Sequence, residues 1–481
     1  MKAVVIGSGP NGLAGAIELA RAGLEVEVHE AESELGGGLS SSELTLPGFV
    51  HDVCSAIHPL GVASPAFREL ELDVEWVHPD APAAHPFDDG NALLLERDVE
   101  STARQLGADA AAYRSLIEPL VGAWEDLAPL LLGPHPVSPK ALLVLRGRLH
   151  SLRAALSAAR PLVESRFGSE RTRAWLAGFA GHSMLPLERR PSAGFCLALL
   201  VLGHVVGWPF PRGGAQTFAD ALAARLREVG GDIHTGSPVD DLPAADVVLA
   251  DVAPRELLRL AGGRFPDGYE GRLRAYRHGP GAFKVDWALD GPIPWQAKEC
   301  ARAGTVHLGG SFEEISASEW GAWSGRPAGK PFVLLAQTSL FDPSRVPEGK
   351  QAAWAYCHVP NDSSEDMMKR IEAQVERFAP GFRELILARH TLGPAELQAH
   401  NRNLVGGDLN GGAMDLGQLL FRPARRLVPY RTPLRGVYLC SASTPPGGGV
   451  HGMCGYSAAR VALKDLRAEA SRYRRPRSSR P

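Results

Sequence analysis

Cysteine is sparse in this sequence of 481 residues: six, at Cys54, Cys196, Cys300, Cys357, Cys440 and Cys454, with no C-x-x-C pair and no zinc-ligand spacing. That argues against a disulfide scaffold or a metal site and predicts reduced thiols in the cytoplasm. An excess of charge of one sign is lacking too. Lys and Arg number 51 against 54 Asp and Glu, a formal net charge of -3, so no global field calls for nucleic acid. Long hydrophobic runs are absent as well. Gly194 to Val206 has only His204 as a strongly polar side chain, but at about 1.5 Å per residue it falls short of a hydrocarbon core of about 30 Å. It reads as a buried helix lining an apolar pocket. No secretory leader is expected, because Met1-Lys2 runs straight into Ala3-Val4-Val5-Ile6.

What is present begins at once. Lys2 to Ile6 is a β-branched apolar run, Gly7-Ser8-Gly9-Pro10-Asn11-Gly12 follows, then a helical stretch from Leu13 to Ala22 and a second strand from Leu24 to His29 that ends at Glu30. The spacing suits a dinucleotide. Gly7 allows a tight turn, Gly9 lets backbone approach a pyrophosphate, and Gly12 lets helix and strand pack closely. The helix amino terminus, opening at Pro10 and Asn11, offers unpaired N–H groups to phosphate, and Glu30 offers a carboxylate to the ribose hydroxyls.

A second glycine cluster, Gly36-Gly37-Gly38, comes six residues after Glu30. This Glu-x5-Gly-Gly pattern resembles FAD proteins of the glutathione-reductase and amine-oxidase superfamily. Near the other end, the strand-like Gly436 to Cys440, the loop Ser441 to Gly449 and the helical Tyr456 to Ala468 resemble the terminal flavin segment of the phytoene desaturase family. There Ser443, Gly449, Val450 and Met453 match positions beside the flavin. Pro211 to Gln216, a helix from Thr217 to Val229 and the strand Asp246 to Ala250 resemble the unit that returns the chain to the FAD domain, with Val239 at the adenine contact. The Asn403 to Pro423 segment is similar to the family's approach to the last flavin motif. Taken together, the resemblance is to the branch holding phytoene desaturases, carotenoid isomerases and pyridine nucleotide-disulfide oxidoreductase domain-containing protein 2.

The resemblance implies an α/β fold: a Rossmann-like FAD-binding domain with an inserted α+β substrate domain. The FAD domain is expected over 1–72, 205–262 and 425–470, the substrate domain over 73–204 and 263–424, and a basic tail over 471–481. Gly281 to Leu289, Pro331 to Gln337 and Ala352 to Val359 have strand-like composition. Two positions depart from the wider pattern. Gly38 stands where many members carry Arg, and Ser441-Ala442-Ser443 stands where glutathione-reductase-like proteins have Gly-Asp. With no second strand-GxGxxG-helix unit, a dedicated NADPH domain is not expected. Electrons would pass from a hydrophobic, isoprenoid-like substrate to a diffusible acceptor, a quinone or dioxygen. The alternatives are a redox-neutral carotenoid cis-trans isomerase, an amine oxidase and a flavoprotein with structural FAD.

No Ser-His-Asp or Cys-His motif fixes a base. His451, in the last flavin motif, is the first candidate to hydrogen-bond the flavin or relay a proton, followed by His58 and Asp52. Lys284, one of eight lysines, is a candidate for the part that a lysine plays near the flavin in amine oxidases, although a solvated strand-end lysine is the simpler reading. Finally, Leu145, Leu149, Leu152, Leu156, Ala159 and Val163 form a helical stripe beside Lys140, Arg146, Arg148, Arg153 and Arg160. Such a stripe is either an ordinary surface helix or a peripheral contact with the anionic inner face of a membrane. The end from Arg467 to Pro481 carries six arginines against Glu469 and reads as a solvated terminus. Oligomeric state has no signature here.

Overall fold

A computed structural model describes residues 1–134 and 149–473. Among these residues, five parallel strands form one sheet in the order Val437–Leu439, Val247–Ala250, Lys2–Ile6, Glu25–His29 and Asp232–His234. Three stretches distant in sequence thus supply one sheet. Lys2–Ile6 lies at its centre, and residues 3 to 6 are all buried, which explains an unbroken apolar run where a one-sided strand would alternate. The helix that follows, Pro10–Arg21, starts earlier than its apolar pattern suggests, because Pro10 is pre-set for the first helical position. It packs on the helices Ala215–Glu228 and Met453–Tyr473. The latter continues past the expected end at 468, so residues 471–473 are helix, while 474–481 of the expected tail lie outside the described residues.

The second sheet has seven strands in the order Ile386–Leu392, Gly281–Leu289, Gln351–Val359, Val333–Ala336, Ala303–Leu308, Ala81–Pro86 and Ala92–Leu95. Neighbours are antiparallel except Ala303–Leu308 beside Ala81–Pro86. Gly281–Leu289 is buried at every position. Val285, Trp287 and Leu289 share a core with Ile371, Val375 and Phe378 of the helix Met368–Phe378. A helical layer completes this half, where Glu170–Gly181 and Ser192–Val205 enclose Trp175, Phe179, Leu197 and Leu200. Each such side chain contributes about 1.5–3 kcal/mol by leaving water. His204, the polar exception on the apolar stretch, is bonded to the Tyr113 hydroxyl at 2.7 Å.

Among the described residues no helix is long and apolar enough to cross a membrane. Lys140, Leu145, Arg146 and Arg148 of the basic stretch lie outside them. Its remainder is not one stripe. Leu149–Ala155 and Ala159–Arg166 are separate helices, because Pro161 lacks an N–H and its ring would meet the Ser157 carbonyl in a continuous helix. Ala159, Leu162 and Val163 are buried in the core. Arg160 meets Glu164, Glu188 and Glu313 at 3.0, 2.7 and 2.8 Å. This part of the stretch is therefore an element packed on its own protein.

A candidate dinucleotide and active site

The strand-to-helix turn is built as its glycines require. Gly7 takes a φ of +97°, and a Cβ on Gly12 would lie 2.1 Å from the Gly7 carbonyl oxygen. Gly37, at φ +56°, brings its backbone against Gly9, where a Cβ would stand 3.3 Å from the Gly9 Cα. Gly36 N–H donates to the Ser8 hydroxyl at 3.2 Å. Ser8 N–H and Oγ–H both donate to Glu30 Oε2, at 2.9 and 2.7 Å, and Glu32 N–H donates to Oε1 at 3.1 Å. The two glycine clusters and the acid are thus one hydrogen-bonded unit.

Two cavities open from it. One, of about 430 Å³, is lined by Gly7, Gly37, Glu30, Pro238 and Val239. The other, of about 360 Å³, is lined by Pro10, Asn11, Gly38, Ser443, Gly449 and Val450. They share Gly9, Val53, Asp251, Asn401 and Asn403, and so adjoin as one trough at the helix amino terminus. This shape fits an extended dinucleotide: the ribose acid lies on one side, the last glycine loop on the other, and the anion-binding helix end between them. A dinucleotide would be held by these residues. Gly12, Gly36 and Met453 do not line either cavity. Gly12 and Gly36 serve the turn, and Met453 packs with Ala66, Leu132 and Tyr456.

One expectation at the helix end is corrected. The Gly12 N–H is not open to a ligand, because it donates to Asp251 Oδ2 at 2.8 Å. Asp251 follows the strand Val247–Ala250 directly, and an acid at the carboxyl end of a parallel strand is a signal the sequence offered.

The candidate bases fare differently. His451 lies off both cavities and is buried, its Nδ1 accepting Met453 N–H at 3.1 Å and its Nε2 standing 3.2 Å from the Gly447 carbonyl oxygen. Both nitrogens serve its own loop, and burial pushes the ring down to about 4. Asp52 is also structural. It accepts the Ala215 N–H at 2.7 Å at the start of a helix and pairs with Arg345 at 2.6 Å. His58 does line the trough, packed edge-on to Trp76 and Phe218, with neither ring nitrogen bonded. Burial pushes it down to about 4 as well.

Lys284 lines the trough from inside the sheet and is 3% exposed, not solvated as the simpler reading expects. Because side chains two apart share a strand face, Asp286 stands beside it. The Nζ lies 2.5 Å from each Asp286 oxygen. His51 and His390 approach the same carboxylate at 3.6 and 3.7 Å. Burial pushes the Asp286 carboxyl up, but Lys284, His390 and His51 outweigh it and hold the group below the usual range. The lysine charge is thus matched before any ligand arrives.

The far end of the trough holds groups the sequence did not mark. Trp354 and Tyr356, two apart on one strand, stack with ring centres 5.6 Å apart. His182 meets His307, nitrogen to nitrogen, at 2.9 Å beside Trp208. Leu199, Met184, Leu334 and Ala336 complete an apolar wall. Among the described lining residues of this cavity, the one carboxylate is Asp251.

Comparisons with known proteins agree with this geometry. Residues 5–70 match the NAD(P)-binding Rossmann-like domain family. The chain is 28% identical to mouse (Mus musculus) pyridine nucleotide-disulfide oxidoreductase domain-containing protein 2, over 97% of this chain and 94% of that protein. It is 34% identical to one component of the limonene dehydrogenase of Castellaniella defragrans, over 24% of this chain and 22% of that one. Cyclohexylamine oxidase from Brevibacterium oxydans superposes with a TM-score of 0.60 at 15% identity, covering 97% of this chain and 99% of its own. The fold is thus shared with cyclohexylamine oxidase, and its opening residues form a Rossmann-like dinucleotide domain.

Proposed function

We propose that the protein is an FAD-dependent oxidoreductase that dehydrogenates a hydrophobic, uncharged substrate, forming a carbon–carbon double bond in an isoprenoid-like chain. The observation that carries this reading is the wall of the far cavity. Leucine, alanine, methionine and aromatic side chains surround the space, and the one described carboxylate sits at the helix end away from them. A cationic substrate would find no counter-ion there, whereas apolar surface gains about 25 cal/mol per Å² by entering. The partial likeness to a limonene dehydrogenase component points in the same direction. The amine-oxidase fold alone does not select an amine, because fold does not dictate substrate.

When bound, the flavin supplies a two-electron acceptor. The chain's own part is to hold and orient. Glu30, Gly9 and Val239 position the nucleotide half, and Gly449 and Val450 bound the other end. Trp354, Tyr356 and Trp208 exclude water from the reacting carbons. Lys284, already paired with Asp286, presents an ammonium without adding net charge. The substrate gives up a hydride to the bound flavin, and the neutral imidazole of His58, which lines the cavity with both nitrogens unbonded, takes the proton. The two electrons pass on to a diffusible quinone or dioxygen, reduced to the quinol or to hydrogen peroxide.

The test is anaerobic bleaching of the flavin. Acyclic and cyclic isoprenoid hydrocarbons are expected to bleach it stoichiometrically, and primary amines are not. Bleaching by amines alone would favour an amine oxidase. Turnover that needs prereduced flavin and consumes no acceptor would favour an isomerase. No response to either class would favour a structural flavin.

A further inference from the structure

The carboxyl of Asp251 occupies the ground toward which a helix amino terminus draws phosphate. Its Oδ2 accepts the Gly12 N–H at 2.8 Å, and a Cβ on Gly9 would come within 3.0 Å of the same oxygen. The residue is 7% exposed and lines both halves of the trough at their junction. Its backbone is pinned, with N–H donating to the Ile6 carbonyl at 2.8 Å and the carbonyl accepting the Asn403 side-chain N–H at 2.9 Å. The main chain that carries the carboxyl is therefore fixed at the junction, and the Gly12 contact turns the carboxyl toward the helix end.

A carboxylate held beside a pyrophosphate sets like charges together where water is scarce. A neutral carboxylic acid keeps the Gly12 contact through its carbonyl oxygen and has an O–H to donate. We propose that the chain binds its dinucleotide with Asp251 protonated, so that cofactor binding takes up one proton. The inference rests on the dinucleotide reading above. It assigns the cofactor's anionic centre a partner that the glycine fingerprint omits.

The surroundings favour the neutral form. Burial comes first, and with the neighbouring Glu30 it pushes the Asp251 carboxyl up to about 7, against the Gly12 N–H, which lowers it. The other ionisable groups around the junction are Cys440 and Cys454, whose thiols burial raises. Glu256, Arg259, His390, His400 and Arg402 line the nucleotide half. Lys284 and His58 line the other half. A bound pyrophosphate raises Asp251 further. Affinity should therefore be flat below pH 7 and fall about tenfold per pH unit above it, as one proton is taken up on binding.

The experiment measures FAD affinity from pH 6 to 9 by quenching of flavin fluorescence, using protein freed of flavin and then reconstituted. Between pH 7.5 and 9 the unaltered chain should lose about a decade of affinity per unit. Asp251→Asn should bind with a flat profile and more tightly than the parent at pH 9. A flat parent profile overturns the proposal, as does an Asp251→Asn slope equal to the parent's, which would give the titration to the histidines. Should Asp251→Asn fail to fold, proton uptake by the parent on adding FAD in weakly buffered solution at pH 8 decides: near one proton supports, near zero overturns. FAD that binds with a flat profile sinks this inference alone. If FAD binds at no pH, NADH, with the same pyrophosphate, is titrated: a falling profile keeps the Asp251 assignment and sinks the flavin, and no binding sinks both.

Discussion

Gly455, in the first turn of the closing helix, stands against Asn11 of the first helix so tightly that a Cβ on Gly455 would lie 1.7 Å from the Asn11 carbonyl oxygen. Gly15 answers from the other side, its Cβ position 3.1 Å from the Gly455 carbonyl oxygen. The first helix and the helix Met453–Tyr473 thus meet at backbone distance, at a residue, Asn11, that lines the trough. Replacing Gly455 by Ala must push the helices apart. The expected cost is about 1–3 kcal/mol, read as a fall of several degrees in Tm together with weaker FAD retention. Gly268→Ala, in the helix Asp267–Arg274 with nothing within 4 Å of its Cβ position, should hold or raise Tm. Equal behaviour of the two variants would refute the contact.

Lys284 and Asp286 are buried as a pair. Lys284→Met leaves an unmatched carboxylate in the sheet and should cost about 3–5 kcal/mol, whereas Lys284→Met with Asp286→Leu should recover most of it. Urea denaturation of the three proteins checks this. A double variant no more stable than the single would show that the lysine acts without its partner.

His58 and His451 are both held near 4 in the folded chain by burial, against about 6.5 when unfolded. The fold favours their neutral form, so stability is complete above about 6.5 and drains as pH falls toward 4, where only the unfolded chain takes up protons. The urea midpoint should drop steeply across that window. His58→Phe, which replaces two unbonded buried nitrogens, should flatten the drop and add about 1 kcal/mol at pH 5. A midpoint indifferent to pH between 7 and 4.5 would count against the buried neutral state.

His451→Ala removes two contacts within the 447–453 loop, with an expected loss of about 1–3 kcal/mol. Flavin should be released at lower temperature, while the pH profile of flavin reduction keeps its shape. Loss of one limb of that profile would restore His451 as a proton-transfer residue.

What the sequence made legible divides along a physical line. The turn at Gly7 to Gly12 and the acid at Glu30 are local, so spacing alone announces them. So is the all-buried strand Lys2–Ile6, whose apolar run needs no partner to be recognised. Lys284 was visible as a residue type but not as a buried ion pair, because its neighbour Asp286 matters only once both faces of Gly281–Leu289 are covered. Asp251 went unread for the same reason: its meaning comes from Gly12, 239 positions away in sequence. The stacking of Trp354 on Tyr356 and the meeting of His182 with His307 depend on cavity shape, which no spacing encodes. Pro161 was legible as a helix breaker and outweighs the stripe read across it.

The order of strands in the parallel sheet also governs how the chain can be made. Its edge strand Val437–Leu439 and the helix that seals Asn11 are synthesised some two hundred residues after the other four strands, so the opening helix Pro10–Arg21 waits through more than four hundred residues of translation for one of its two packing helices. During that interval the apolar edge of Val247–Ala250 has no neighbour on one side. Such an unpaired edge is the kind of surface that chaperones cover and aggregates recruit. A ribosome stalled before residue 437 should therefore carry a nascent chain that proteases cut readily beside Val247–Ala250 and Pro10–Arg21, and extending it through residue 473 should abolish that cleavage.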